Sequence, residues 1–310
     1  MSHFFTYAVL TSTFATALAL AASFLFAALG ETVGQRSGVV NLGVDGIMLL
    51  AAFTTYFVVL KTNNLLIGIL CGMGVGLVMG VVTAFMSVTL KAEQGISGIG
   101  VYLFGLGFSD LLFLHLVGTP VPIKQLGPLN IPLLDRIPAL GPILFKQTVL
   151  VYVAFLLVPV LTIVLNRTSY GLKVRAAGEN PAAADSVGIS VAKIRWSAVL
   201  FGCTMAGLAG AALLLYDGIF IENLTQAEGF IAVALVYFGA WRPAGVMGGS
   251  LLYGLTIAVV LEWKSLGIIP LSASDLAATA PAVITILALL LVARRFRQPA
   301  VLGKPFERAE

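Results

Sequence analysis

Residues 65–90 read LLIGILCGMGVGLVMGVVTAFMSVTL, 26 consecutive positions without a charged side chain. As a helix rising 1.5 Å per residue this stretch reaches about 39 Å, enough to cross the roughly 30 Å hydrocarbon core of a bilayer. Lipid offers the backbone no hydrogen-bonding partner, so a stretch this apolar is expected as a membrane-spanning helix. Gly72, Gly76 and Gly80 recur every four residues within it, placing a smooth stripe on one face. Gly207 and Gly210, with Ala206 and Ala209, form a second strip. Small residues let helix backbones approach closely in lipid, so both strips are read as packing surfaces.

Outward from this run, apolar stretches recur at about 5–29, 46–60, 97–118, 147–165, 196–216, 229–240, 247–263 and 276–293. The chain of 310 residues is 59% hydrophobic and 10% charged, with a mean hydropathy of +1.02. Soluble domains carry about 25% charged residues. The expected fold class is therefore all-α, a polytopic transmembrane bundle of about 8–10 spans forming a single domain. Runs 46–60 and 229–240 fall short of the roughly 20 residues a full crossing needs, so some helices are expected to be broken or re-entrant. The run at 5–29 lacks a basic leading segment and exceeds a signal core in length, and is read as a retained first span. Cys71 and Cys203 both sit in apolar runs, as small packing residues and not as a disulfide or zinc pair. The segment 119–146 holds six prolines, which argues against a regular helix there.

Charge sets the orientation. With the first end outside and nine crossings, 13 of the 18 Lys and Arg fall on the inner side, among them Arg36, Lys91, Arg167, Arg195, Arg242, Arg294, Arg295, Arg297 and Arg308. Lys61, Lys124, Arg136, Lys146 and Lys264 fall outside. The positive-inside rule favours this arrangement, making 166–195 a cytoplasmic loop and 294–310 a cytoplasmic tail of an inner-membrane protein. No basic stripe points to nucleic acid.

Catalytic signatures are absent from the sequence. It holds no G-x-x-x-x-G-K-[ST] cradle, no H-E-x-x-H and no G-x-S-x-G elbow, so an enzyme with its own ATPase, metalloprotease or hydrolase machinery is disfavoured. Two polar insertions stand out instead. In residues 30–46, GETVGQRSGVVNLGVDG, Glu31 and Arg36 read as interfacial charges at a loop. Asn41 and Asp45 read as one helix face by their i, i+4 spacing, either beside a polar pathway or as capping and packing groups. In residues 166–195, Asn180 is expected to cap a helix that Pro181 opens, a compact amphipathic turn suited to docking a soluble partner. Among ionisable groups, Asp110 alone lies deep in a run, without an evident partner. An ion-coupled secondary transporter, which needs buried ionisable pairs, is correspondingly disfavoured.

Three stretches resemble one family. SGVVNLGVDGIMLLAAF (37–53), RAAGENPAAADSVGISVAKIRWSAVLFGCTMAGLAGA (175–211) and IENLTQAEGFIAVALVYFGAWRPAGVMGGSLLYG (221–254) are similar to permease subunits of bacterial ABC importers for sugars, branched-chain amino acids and nucleosides. The last stretch looks most like the shorter permease of nucleoside importers. The resemblance implies pseudo-symmetric helical halves around a central pathway, and a coupling helix about Gly178, Glu179, Asn180, Pro181, Ala182 and Asp185 that rests on an ATPase subunit. It implies no cofactor in this chain, ATP and Mg on the partner ATPase, a second homologous permease in a heterodimer, and an extracytoplasmic substrate-binding lipoprotein. Neutral nucleosides need flat apolar walls and a few hydrogen-bonding groups. The pathway candidates are Asn41, Asp45, Asn223, Thr225 and Gln226 for polarity, and Phe104, Phe230 and Tyr237 for flat surface. Permeases for simple sugars or branched-chain amino acids are the alternative within the family.

Overall fold

The computed structural model describes residues 6–130, 137, 140–270, 273–292 and 298–307. Arg136, Arg294, Arg295, Arg297 and Arg308 of the charge balance, and the outermost residues of the runs at 5–29 and 276–293, lie outside the described residues. Among the described residues, seven helices are long and apolar enough to cross a membrane, accompanied by two shorter apolar ones. The fold is an all-helical polytopic bundle.

The chain opens with α1 (Tyr7–Arg36), α2 (Val44–Thr62) and α3 (Leu65–Ala84), the last running on into a π-helical turn at Phe85–Thr89. The run at 46–60 is thus part of an unbroken 19-residue helix. Its junction with α3 is tight because Asn63 takes a left-handed conformation (φ 53°), and the Asn64 side chain then accepts hydrogen bonds from the Leu66 and Ile67 N–H groups. Helix α4 (Gln94–Leu116) is capped by Glu93, whose carboxylate accepts from the Gly95 and Ile96 N–H groups at 3.0 and 2.5 Å. These two donors hold the Glu93 carboxyl below the usual carboxylate range.

The proline-rich segment departs from expectation. It carries a five-residue helix, α5 (Leu140–Leu144), and a short antiparallel ladder of β1 (Leu129–Asn130) with β2 (Lys146–Gln147). Pro142 fits α5 because it lies in the first turn, where a missing N–H costs nothing. Next come α6 (Val149–Arg167), α7 (Ser169–Glu179), α8 (Pro181–Ser186) and α9 (Val191–Asp217). The segment 166–195 is therefore mostly helical, and Lys193 and Arg195 belong to α9. The chain finishes with α10 (Glu228–Phe238), α11 (Pro243–Ser265), α12 (Ser274–Ala278) and α13 (Ala280–Val292).

Burial separates centre from rim. The most apolar windows of α1, α2 and α9 are each 72% buried, against 28%, 22% and 28% for α3, α4 and α6. The glycine strips explain how α3 joins the centre. A Cβ on Gly207 would lie 2.6 Å from the Gly72 carbonyl oxygen, and one on Gly76 would strike the Cys203 carbonyl. The α3 strip thus packs along Cys203, Gly207 and Ala211 of α9, and between Gly76 and Gly207 only hydrogen fits. Gly210 meets the Met48 carbonyl of α2 in the same way.

Five basic residues, Arg36, Lys91, Arg175, Arg195 and Arg242, gather at one end. Arg36 donates to the Asn166 side chain at 3.5 Å and has Arg175 and Arg242 as charged neighbours. Lys91 pairs with Glu307 at 3.4 Å, and Arg195 donates to the Lys304 carbonyl at 3.0 Å. Helices α7 and α8 lie at this Arg36 end.

Candidate pathway and docking face

The return from α9 is not a simple helix. At its far end Gly218 (φ 72°) closes α9, and its carbonyl accepts from the Ile123 N–H at 2.8 Å. Residues 218–227 then run as irregular backbone, with Asn223, Gln226 and Ala227 at φ 53°, 44° and 68°. Only at Glu228 does α10 begin, and its 11 residues reach about 16 Å at 1.5 Å each. Just past it the Trp241 indole donates to the Gln35 side chain at 2.8 Å, next to Arg36. The segment 229–240 is thus the helical half of a broken crossing, whose other half is coil. Coil at membrane depth is tolerated only where protein or an aqueous cavity serves its polar groups.

Protein serves one side of this coil. Asp45, in the first turn of α2, accepts from the Thr225 hydroxyl at 3.1 Å and from the Gly229 N–H at 2.7 Å. Asp45 and Thr225 are fully buried. The carboxylate therefore caps the start of α10 from a neighbouring helix. Gly229 has to be glycine because a Cβ there would strike the Asp45 backbone. The other side of the coil is open: Glu222, Asn223 and Gln226 are exposed. The Asn223 N–H donates to the Asp110 carboxylate of α4 at 3.4 Å, which supplies the partner that the sequence did not reveal. Flat rings lie on α10 and α4. Phe230 packs edge-on against Tyr102, with centroids 5.0 Å apart, and exposed Phe104 stacks on Phe108 at 5.2 Å.

Asp45, Asn223, Thr225, Gln226 and Phe230 are thereby brought together, with Phe104 on the exposed face of α4. Asn41 and Tyr237 are not part of this group. Asn41 precedes α2, so the expected shared helix face with Asp45 does not exist; its side chain instead accepts from the Gly43 N–H at 2.8 Å, closing a turn. Its backbone N–H donates to Glu31 at 2.9 Å and its amide to the Cys203 sulfur at 3.4 Å. Tyr237 packs edge-on against Trp241, with centroids 4.9 Å apart. Both line a second, closed polar cluster of Glu31, Gln35 and Trp241.

Sequence reading missed that cluster. Glu31 is 3% exposed and Gln35 fully buried, so Glu31 is no interfacial charge. The helix runs on to Arg36 and every residue from Leu20 to Gln35 is buried, so no helical face marked these two side chains in the sequence.

At the Arg36 end, the Asn180 side chain accepts from the Ala183 N–H at 3.0 Å and Pro181 occupies the first position of α8, as the sequence predicts. Glu179, Asn180 and Ala182 are exposed, Asp185 is half-buried, and Gly178 and Pro181 are buried. Val187 just beyond is 74% exposed. Gly178 packs on the Arg36 carbonyl so closely that no Cβ fits. The helix pair thus rests on the bundle through Gly178 and presents α8 outward.

A bundle with a broken crossing, an open polar face and a presented helix pair defines a multi-pass membrane transport protein, placed in a bacterium in the cytoplasmic membrane. The chain belongs to the family described as branched-chain amino acid transport system / permease component, whose sequence model matches residues 13–293. Three relatives indicate the breadth of that family. A Haloferax volcanii protein named for glucose ABC transport (TsgC13) is 37% identical over 249 residues, covering 79% of this chain and 75% of its own. The nucleoside ABC transporter permease NupC of Lactococcus lactis is 34% identical over 277 residues, 86% of this chain and 87% of its own. The guanosine ABC transporter permease NupQ of Bacillus subtilis is 31% identical over 304 residues, 93% of this chain and 94% of its own. No solved structure gives a significant match. The chain is accordingly a permease subunit of an ABC importer, a transport component.

Proposed function

We propose that this permease takes up nucleosides, driven by ATP bound with Mg on a separate ATPase subunit. The observation that carries this reading is the open break at Asn223–Gln226, followed at once by Phe230 packed on Tyr102. Amides, exposed backbone and the carboxylates of Asp110 and Glu222 suit ribose hydroxyls and base N–H groups, while the rings suit a flat base. The nucleoside- and guanosine-named relatives, which this chain covers nearly end to end, support the same reading. The glucose-named relative favours a second reading, a permease for simple sugars.

In this reading the exposed face of α4 turns toward a second homologous permease, so that the pathway runs between two chains. The Arg36 end is cytoplasmic, and the ATPase receives α8 with Glu179 and Asn180 at the contact. A substrate-binding lipoprotein delivers solute at the opposite end. ATP binding acts by favouring one arrangement of the docked helices over the other.

The test is uptake of labelled guanosine, adenosine, ribose and glucose into proteoliposomes holding the full assembly. ATP-dependent accumulation of nucleosides is expected. Accumulation of glucose without nucleosides establishes the sugar reading instead, and uptake driven by an ion gradient without ATP overturns the importer reading.

A further inference from the structure

The described end segment, residues 298–307, does not trail away from the bundle. Its Val301 N–H donates to the Gly178 carbonyl at 3.1 Å, one of the last-turn carbonyls that α7 leaves without an intrahelical donor. Two residues on, the Gly303 N–H donates to the Gly38 carbonyl at 3.1 Å, in the elbow between α1 and α2. Phe306 packs against the small cluster of Ala177, Ala184 and Val191, contributed by α7, α8 and α9. The segment therefore touches the presented helix pair and the elbow at once.

Arg195 locks this arrangement. It is 2% exposed, and its guanidinium donates through Nε to the Ser37 carbonyl at 3.2 Å and through Nη1 to the Lys304 carbonyl at 3.0 Å. The planar fork of arginine joins two separate backbones in a way that a lysine ammonium does not reproduce. The outer ion pair, Lys91 with Glu307, is 42% and 78% exposed and adds little. The elbow in turn leads directly into Asp45, which caps α10 at the pathway.

We infer that residues 298–307, clamped by Arg195, are a strap that transmits displacement of the α7–α8 pair to the elbow and so to the pathway. Arg195 and Phe306 are positioning residues in this scheme, since neither reaches solute or nucleotide. The inference rests on the reading of α8 as the ATPase contact. It makes coupling depend on a segment outside both the pathway and the docking helix.

The experiment uses the complete assembly in proteoliposomes and reads ATP hydrolysed per nucleoside accumulated. A chain ending at Arg297, and the full-length variants Arg195→Lys and Phe306→Ala, are compared with the parent. The ratio is expected to rise at least about fivefold, the lower end of typical coupling between sites, while ATP hydrolysis persists. A merely stabilising tail would lower both activities together and leave the ratio alone. If the shortened chain fails to assemble, the two point variants decide, each checked for an unchanged melting temperature. An unchanged ratio in assembled variants overturns the strap. A Glu179→Ala, Asn180→Ala double variant separates the two readings. If it uncouples while the tail variants do not, the docking reading stands and the strap falls; if it too leaves the ratio unchanged, both fall.

Discussion

Asp45 concentrates the chemistry of the broken crossing in one side chain. It satisfies two buried donors from segments about 180 positions away in the chain. Replacing it by Ala leaves the Gly229 N–H and the Thr225 hydroxyl unserved, at a cost of about 1–3 kcal/mol for each orphaned group. Asp45→Asn keeps an oxygen for Gly229, and the Thr225 hydroxyl rotates to accept from the new amide. Melting of the detergent-purified protein should therefore fall clearly for Asp45→Ala and only slightly for Asp45→Asn. Equal losses would show that charge, and not hydrogen-bond geometry, is what the site requires. Glycine positions give a sharper contrast. Gly210→Ala forces a methyl into the Met48 carbonyl, whereas a Cβ on Gly74 meets nothing within 4 Å. The first should cost about 1–3 kcal/mol through overpacking and the second almost nothing. A comparable loss at Gly74 would mean that its open face is covered in the assembled importer.

At the scale of elements, the short helices depend on their caps. Helix α8 has six residues, so it gains little from propagation and leans on Asn180. Asn180→Ala should weaken it by about 1 kcal/mol, seen as faster amide exchange at Ala183 and Ala184. The start of α4 carries a pH signature. The folded-state pKa of Glu93 is depressed, so its capping contribution is present above the ordinary carboxylate range and is lost as pH falls through the depressed value. Exchange at Gly95 and Ile96 should therefore accelerate on acidification in the parent and be pH-independent, beyond intrinsic chemistry, in Glu93→Ala. Parallel behaviour in the two proteins would remove Glu93 as the cap.

For the whole molecule, the decisive property is which surface meets water inside the membrane. The coil 218–227 exposes Asn223 and Gln226, whereas Tyr237 packs on Trp241. With Cys71 and Cys203 replaced by Ala, cysteines at 223 and 226 should react with a membrane-impermeant maleimide in the assembled importer. Cysteine at 237 should react at least about tenfold more slowly, as a closed local structure limits access. Silence at 223 and 226 in every nucleotide state would move the pathway away from the α4 face.

Much of this architecture was legible in the residues themselves. Long apolar runs determine a membrane bundle because lipid leaves no other backbone solution, and glycine every fourth position determines a contact face because helical geometry repeats there. Asn180-Pro181 announced its cap for the same reason: the interaction spans three residues and needs no partner. Local pattern has no access to contacts made across the fold. The proximity of Asn41 and Asp45 in sequence says nothing of their divergence to Glu31 and Gly229, and the burial of Glu31 and Gln35 depends on Trp241, 206 positions beyond Gln35. Sequence alone therefore determined the solvent this chain folds in and the faces its helices pack with. Where the crossing breaks, which carboxylate serves the break and where the tail lies were decided only by tertiary structure, because each is a polar group satisfied by a distant partner that lipid cannot replace.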